Sequence, residues 1–378
     1  MKTQSLLSLA LSALALAQQD DNKPSLTDAL SSKSDTLSLL GELISNNTEV
    51  LEALQGATDI TILAPDNDAI SELLKSSAVT ESKDSGLVPA LLSYHVLNGT
   101  YMAADVKETP AFIPTLLGNA KYENVTGGQV VEAVTDGETV SFYSALKMAA
   151  NVTEADIEFE GGVIHIINSV LQIPQSATKT AVEGGLSALV GAVTEADLGS
   201  TLDGLEDITI FAPNNDAFAA IASVVGELSA EDLAGILQYH VIQGTVAYSS
   251  GLEGGKVETV SGEEVNISID DGNVSVNGAK VVIPDILIAN GVVHVIDGVL
   301  NPDNSSDEPN PSTTTPAFTG ASTMSDGMVP FTSAAPSPTE SSATELKTGT
   351  SQQAAPRATA AAAMGVLLGG AASVVNGF

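Results

Sequence analysis

Short apolar runs and polar punctuation follow one another in the same order twice along this chain. Asp207-Ile208-Thr209-Ile210-Phe211 is a β-rich run closed by Ala212-Pro213, then Asn214-Asn215-Asp216 and an apolar-periodic segment from Ala217. Proline ends a strand, and Asn or Asp before an apolar-periodic run supplies the oxygens a helix start needs, so the pattern predicts strand, turn, helix. Ile60 to Leu74 repeats it. Leu87 to Leu92 and Glu231 to Leu237 predict helices that run into Tyr-His, with a strand starting at the following valine. The apolar runs after Gly162 and Gly291 predict strands buried on both faces. Turn signals at Asp270-Asp271-Gly272-Asn273 and Asn277-Gly278 separate further strands. Strands and helices mixed in this order predict an α+β fold.

Three motifs carry the repetition. DITILAPDNDA at Asp59 to Ala69 matches DITIFAPNNDA at Asp207 to Ala217, Tyr94-His95 matches Tyr239-His240, and GVIHIINSVL at Gly162 matches GVVHVIDGVL at Gly291. The same three motifs in the same order mean a duplicated domain. His95 and His165 are 70 positions apart, His240 and His294 only 54, so the first copy carries about sixteen extra residues. Surface loops near Asn124 or Asn151 are the expected place for them.

Composition narrows the function. With 13 Lys+Arg against 47 Asp+Glu the formal charge is −34, which excludes a nucleic-acid partner and direct binding to anionic lipid, since both require a basic surface. No cysteine is present, so disulfides, thiolate metal sites and cysteine nucleophiles are excluded. Nucleotide-binding, zinc-hydrolase and serine-elbow motifs are missing, and no cofactor is expected. The four histidines, His95, His165, His240 and His294, all fall inside the repeated motifs. They have two readings: metal ligands or general bases, or imidazoles satisfying backbone groups inside each domain. The second is preferred, because each sits among Val, Ile or Leu with no ligand at metal spacing beside it. Asp270-Asp271 lacks a full set of calcium ligands and reads as a hairpin turn. No metal site is expected.

The two ends read as processing signals. Residues 1–17 have a basic start, an apolar stretch and Ala15-Leu16-Ala17, the pattern of a secretory signal peptide. Residues 350–378 close in an uncharged apolar tail behind small residues and a polar spacer, the pattern of a GPI-anchor signal, with Gly349 as the attachment residue. Between the folded part and that signal, residues 303–349 are dominated by Ser, Thr, Pro and Ala and predict an extended stalk. Sequons at Asn46, Asn98, Asn124, Asn151, Asn266, Asn273 and Asn304 are N-glycan acceptors if the chain is secreted.

Taken as a set, ITIFAPNNDAF at Ile208, the two Tyr-His pairs and NGVVHVIDGVLNP at Asn290 resemble the fasciclin-like domain family. The resemblance covers 25–174 and 178–302. It implies two domains, each a wedge of β-strands with helices packed at one side, and adhesion or matrix interaction rather than catalysis. It also implies candidate adhesion residues: Tyr94, His95, Tyr239 and His240, and the pairs Asp156-Ile157 and Asp285-Ile286 before the last motif. A GPI-anchored chain of this kind resembles fungal surface fasciclins, located at the cell surface or wall, whose partner is an extracellular protein or a wall or matrix component. Two alternatives stand beside adhesion. One is a binding module for wall glycan or a small apolar ligand; the absence of Trp weakens the glycan half. The other is a secreted hydrolase built on His and Ser or Asp.

Overall fold

The computed structural model describes residues 23–76, 84–225, 228–304, 317–318, 320–324 and 328–336. The expected signal peptide, Gly349 and the expected anchor signal lie outside the described residues. The fold is α+β, with two seven-stranded sheets.

The first unit opens with helices α1 (Leu26–Ser32), α2 (Ser34–Asn46) and α3 (Thr48–Gly56). Strand β1 (Ile60–Pro65), α4 (Asn67–Lys75), α5 (Leu87–Tyr94) and β2 (Val96–Asn98) follow. Strands β3 (Ala111–Pro114), β4 (Val130–Thr135), β5 (Val140–Tyr143), β6 (Ala149–Phe159) and β7 (Gly162–Ile167) complete it. The sheet order is β2-β1-β7-β6-β5-β4-β3. Strands β1 and β7, from the first and last motifs, pair in parallel at its heart, which is why both are apolar on both faces.

The second unit repeats this plan. It has helices α6 (Ala177–Glu183), α7 (Ser187–Glu195), α8 (Gly199–Gly204), α9 (Asn215–Ala220), α10 (Ala222–Val225) and α11 (Ala230–Tyr239). Its strands are β8 (Ile208–Pro213), β9 (Val241–Gln243), β10 (Gly255–Glu258), β11 (Glu264–Asp270), β12 (Asn273–Val276), β13 (Ala279–Ile288) and β14 (Gly291–Ile296). Read from the other edge, its order β10-β11-β12-β13-β14-β8-β9 is the same topology.

Each sheet separates two cores. In the first unit Ile62, Ala64, Ile164 and Ile166 face α1 to α4, while Leu63, Phe142, Ile167 and Tyr94 fill the opposite side. The predicted strand–turn–helix is present in both copies. Asp66 accepts from the Ala69 N–H at 2.8 Å and Asn214 from the Ala217 N–H at 2.7 Å, so each is an N-cap. The next asparagine does something else. Asn215 accepts from the Ala188 N–H at 3.0 Å and donates to the Gly185 carbonyl at 3.0 Å, clamping α7 to α9, and Asn67 makes the matching contacts to Leu39 and Asp35. The parallel pair also demands glycine. A Cβ on Gly162 would lie 1.8 Å from the Ile60 carbonyl oxygen, and one on Gly291 1.9 Å from that of Ile208.

The described part of the expected stalk does not leave the fold at 303. Phe318, Ala321, Val329 and Phe331 pack against the helix-side core of the second unit. Phe331 meets Phe218 edge-on at 6.0 Å, and its carbonyl sits where a Cβ on residue 191 would lie 2.0 Å away, so Gly191 makes the seat. Four apolar side chains scattered through a Ser/Thr/Pro-rich segment carry no periodicity, which is why the sequence pattern reads as stalk there.

Candidate functional site

The histidines are staples. His95 follows α5, and its Nδ1–H donates to the Leu91 carbonyl at 2.8 Å while Nε2 accepts from the Leu171 N–H at 2.9 Å. His240 does the same with Ile236 at 2.7 Å and Leu300 at 2.9 Å. Each ring thus ties the end of a helix to the chain leaving the last strand. Burial disfavours the charged ring and holds both pKa values at about 4, with the carbonyl bond opposing it. His165 and His294 tie a different pair of segments. His165 Nε2–H donates to the Tyr101 carbonyl at 2.8 Å and its Nδ1 accepts from the Asp156 N–H at 3.2 Å; His294 does so with Ala247 at 2.8 Å and Asp285 at 3.2 Å. Burial again pushes both pKa values down. All eight ring nitrogens are engaged by backbone, so none stands ready to take a proton from a nucleophile. Among the described residues no three His, Cys, Asp or Glu side chains form a metal-holding group.

Tyr94 and Tyr239 are fully buried, and their hydroxyls donate to the Val130 carbonyl at 2.9 Å and the Glu264 carbonyl at 2.8 Å. Asp156 and Asp285 sit on bulges of β6 and β13 with φ of 60° and 61°, where the left-handed backbone turns the carboxylate back onto the loop after β2 or β9. Asp156 accepts from the Ala103 N–H at 2.9 Å, and Asp285 from the Ser249 N–H at 2.7 Å and from the Ser249 hydroxyl. Of the eight candidate adhesion residues, Tyr94, His95, Tyr239, His240, Asp285 and Ile286 are buried; Ile157 is partly buried and Asp156 is exposed. Six of the eight side chains therefore lie where no partner could touch them in this fold. Their spacing beside apolar residues was the sequence signal for that burial.

The difference between Asp156 and Asp285 arises from the contact between the units. The shared hydrogen bonds align the copies. The Leu116 N–H donates to the Val96 carbonyl as the Val260 N–H does to that of Val241, and Tyr94 reaches Val130 as Tyr239 reaches Glu264. Between those anchors copy one has 14 positions (116 to 130) and copy two has 4 (260 to 264), which places ten of the extra residues around Asn124. Five more separate Phe142 from its partner Ala150, 8 positions apart, compared with 3 for Val276 and Ala279. These are the turn Ala145–Lys147 and its flanks.

Both insertions dock on the second unit. The Asn124 N–H donates to the Ala289 carbonyl at 2.7 Å, the Thr126 N–H and hydroxyl donate to Asp207 at 2.7 and 2.6 Å, and Gln129 donates to the Ile288 carbonyl at 3.0 Å. Phe112 stacks on Tyr248, centroids 4.0 Å apart and planes 9° from parallel. Lys147, on the turn inserted beside β13, pairs with buried Glu132, whose pKa burial raises and the lysine opposes; Asp285 and His294 lie within electrostatic reach of the pair.

Among the described residues the corresponding face of the first unit is open apart from Lys23 and Pro24, whose carbonyl accepts from the Glu160 N–H at 3.0 Å. Asp59, Met102, Glu158, Phe159, Glu160 and Gly161 stand in register with Asp207, Tyr248, Leu287, Ile288, Ala289 and Asn290, and they line an open groove of about 360 Å³ together with Lys23 and Thr100. Glu158 and Glu160 stand where the covered face has Leu287 and Ala289, so the groove is the more acidic of the two, and Lys23 pairs with Glu158 at 2.8 Å across it.

Comparison with known proteins agrees with this duplicated plan. The fasciclin domain profile matches residues 35–174 and 184–302. A fasciclin-like arabinogalactan protein of Arthroderma benhamiae is 34% identical over 309 residues, covering 80% of this chain and 73% of the relative. The fasciclin-like arabinogalactan protein elcF of Phaeosphaeria nodorum is 32% identical over 285 residues, covering 73% of this chain and 90% of the relative. A solved FAS1 domain pair from the insect cell adhesion molecule Fasciclin I is 19% identical with a TM-score of 0.32, over 69% of this chain and 95% of that one.

Proposed function

Because the chain belongs to the fasciclin family, with two domains in tandem, we propose that it is an adhesion or cell-wall protein, not an enzyme, and that its first domain presents the binding face. One observation carries this reading: the same face is filled from within in the second domain and, among the described residues, open in the first. Domain two spends its groove on domain one, through Asp207, Tyr248, Ile288 and Ala289. Domain one keeps Asp59, Glu158 and Glu160 on the wall of an open groove, and Asp156, 37% exposed, stands beside it on the Ala103 N–H, next to the lining Met102. The buried histidines and tyrosines hold the shape of that face and do not touch a partner. The partner is an extracellular protein or a wall or matrix component with cationic or hydrogen-bond-donating groups, which an acidic groove selects. Secretion through residues 1–17 and a lipid anchor at Gly349 would place the pair at the cell surface; treating cells with a phosphatidylinositol-specific phospholipase should then release it.

Attachment of the purified chain to cells or isolated walls tests the face. Asp156→Asn, Glu158→Gln and Glu160→Gln together remove charge while leaving an oxygen to accept the Ala103 N–H. They should weaken attachment about tenfold, the scale of one or two lost charge contacts. Glu253→Gln with Glu258→Gln, on the exposed edge of domain two, should leave it unchanged. Equal attachment by both variants would remove the groove from the mechanism.

A further inference from the structure

The second domain contains an apolar cavity of about 300 Å³ between helices α6 and α7 and the sheet. Ala177, Ala181, Leu189, Val193, Ile210 and Val293 line it, and Pro336, at the end of the described C-terminal segment, stands at its edge. No carboxylate lines it. His240 also borders it, but both ring nitrogens are spent on backbone. Polar side chains are confined to Thr178, Lys179, Thr180 and Thr194, and the hydroxyls of Thr178 and Thr194 already donate, to Asp203 and to the Val190 carbonyl.

Comparison of the two copies shows how the space arises. Ser25 and Ser176 are equivalent N-caps, accepting from Asp28 and Lys179, so Ala177 and Ala181 occupy the positions of Leu26 and Leu30. The matching clamps by Asn67 and Asn215 set Leu39 against Ala188, and hence Ile44 against Val193. In copy one these three larger side chains are buried in the helix-side core. In copy two, two leucines have become alanines and an isoleucine a valine, and the helices have not collapsed into the volume. Phe318, Ala321, Val329 and Phe331 close that side of the domain instead, with Phe331 seated over Gly191 and against Phe218.

A cavity of this size with an apolar wall offers water too few partners, and it falls at the small end of the range of ligand-binding pockets. We propose that the second domain binds a neutral, hydrocarbon-rich small molecule in this cavity, entering beside Pro336. The ammonium of Lys179, the one charged group on the lining, is half exposed and held by Gln175 and Glu183, so a charged ligand would lose its hydration for little counter-charge in return. The site is separate from the groove of domain one, so its failure leaves the adhesion reading untouched, and the reverse holds too.

The test titrates the whole chain with N-phenyl-1-naphthylamine, a neutral apolar fluorophore. Saturable binding with one site per chain is expected. The double change Ala177→Leu with Ala181→Leu restores the residues of copy one and should weaken binding at least about tenfold by filling the space. Circular dichroism establishes that this variant is folded. Should it fail to fold, Val193→Ile, which adds one methyl group, should still weaken binding by about threefold. No saturable binding by the unmodified chain, or affinity unchanged in the folded variant, overturns the proposal.

Discussion

Gly162 and Gly291 each hold the close approach of the two parallel strands that every other feature hangs on. Alanine at either would drive a methyl group into a backbone carbonyl that belongs to the central strand and cannot move alone. Gly291→Ala should cost at least about 3 kcal/mol, read as a lowered midpoint of denaturant unfolding with the slope retained. The buried histidines give a second prediction, in pH. His95 and His240 have folded pKa values of about 4, below the ordinary 6.5. Between those values the unfolded chain binds the extra protons, so stability rises with pH from 4 to 6.5 and levels off above. The contribution is on the order of 3 kcal/mol per ring. Melting temperature should therefore fall steeply as pH drops through that window. In His95→Gln with His240→Gln the protein should start less stable and the fall should flatten; an identical slope would show that carboxylates, not these rings, set it. Their type and spacing already pointed to satisfied core imidazoles, because each stands between a tyrosine and a valine that opens an apolar strand. Which backbone groups they satisfy was not legible, since Leu171 and Leu300 lie 76 and 60 positions away.

At the level of elements, the strand–turn–helix starts, the Tyr-His helices and the last-motif strands follow from local patterning: proline after an apolar run, an Asx cap, a period change from two to 3.6. The length difference between the copies was also readable: of the two places offered for it, the one near Asn124 holds ten of the extra residues and the one near Asn151 adjoins the five more between Phe142 and Ala150. Their purpose was not readable, because it depends on a surface that only the other domain supplies. Replacing residues 117–129 with the Ser-Gly-Glu turn of copy two should leave both domains folded but uncouple them. The unmodified chain should melt in one transition and the variant in two, and small-angle scattering should show a larger radius of gyration for the variant. A compact particle with one transition would mean that Phe112, Tyr248 and the turn Ala145–Lys147 suffice alone.

Across the whole molecule, the domain contact constrains both modification and presentation. Asn124 belongs to a sequon, yet its N–H donates across the contact and its side-chain amide reaches the Leu205 carbonyl at 3.4 Å. Asn46, Asn98 and Asn273 are exposed. If the chain passes through the secretory pathway, glycopeptide mass spectrometry should find sugar at those three and little at Asn124. High occupancy at Asn124 would mean that the domains are modified before they dock. Among the described residues the contact also leaves this face open in the first domain and not in the second, where the repeat alone suggests both, so avidity requires clustering of chains on a surface.

The sequence by itself determined the duplication, the α+β class, the identity of the core strands and the structural nature of the histidines, because these rest on local periodicity and on residue types that tolerate few environments. Only the tertiary structure decided which Asp-Ile bulge is exposed, which groove is filled, where the C-terminal segment lies and where a cavity remains. Those properties depend on how differences between two nearly matching copies meet across long sequence separations. A leucine replaced by an alanine, or a glutamate by a leucine, changes no local pattern and becomes visible only when its neighbours are in place.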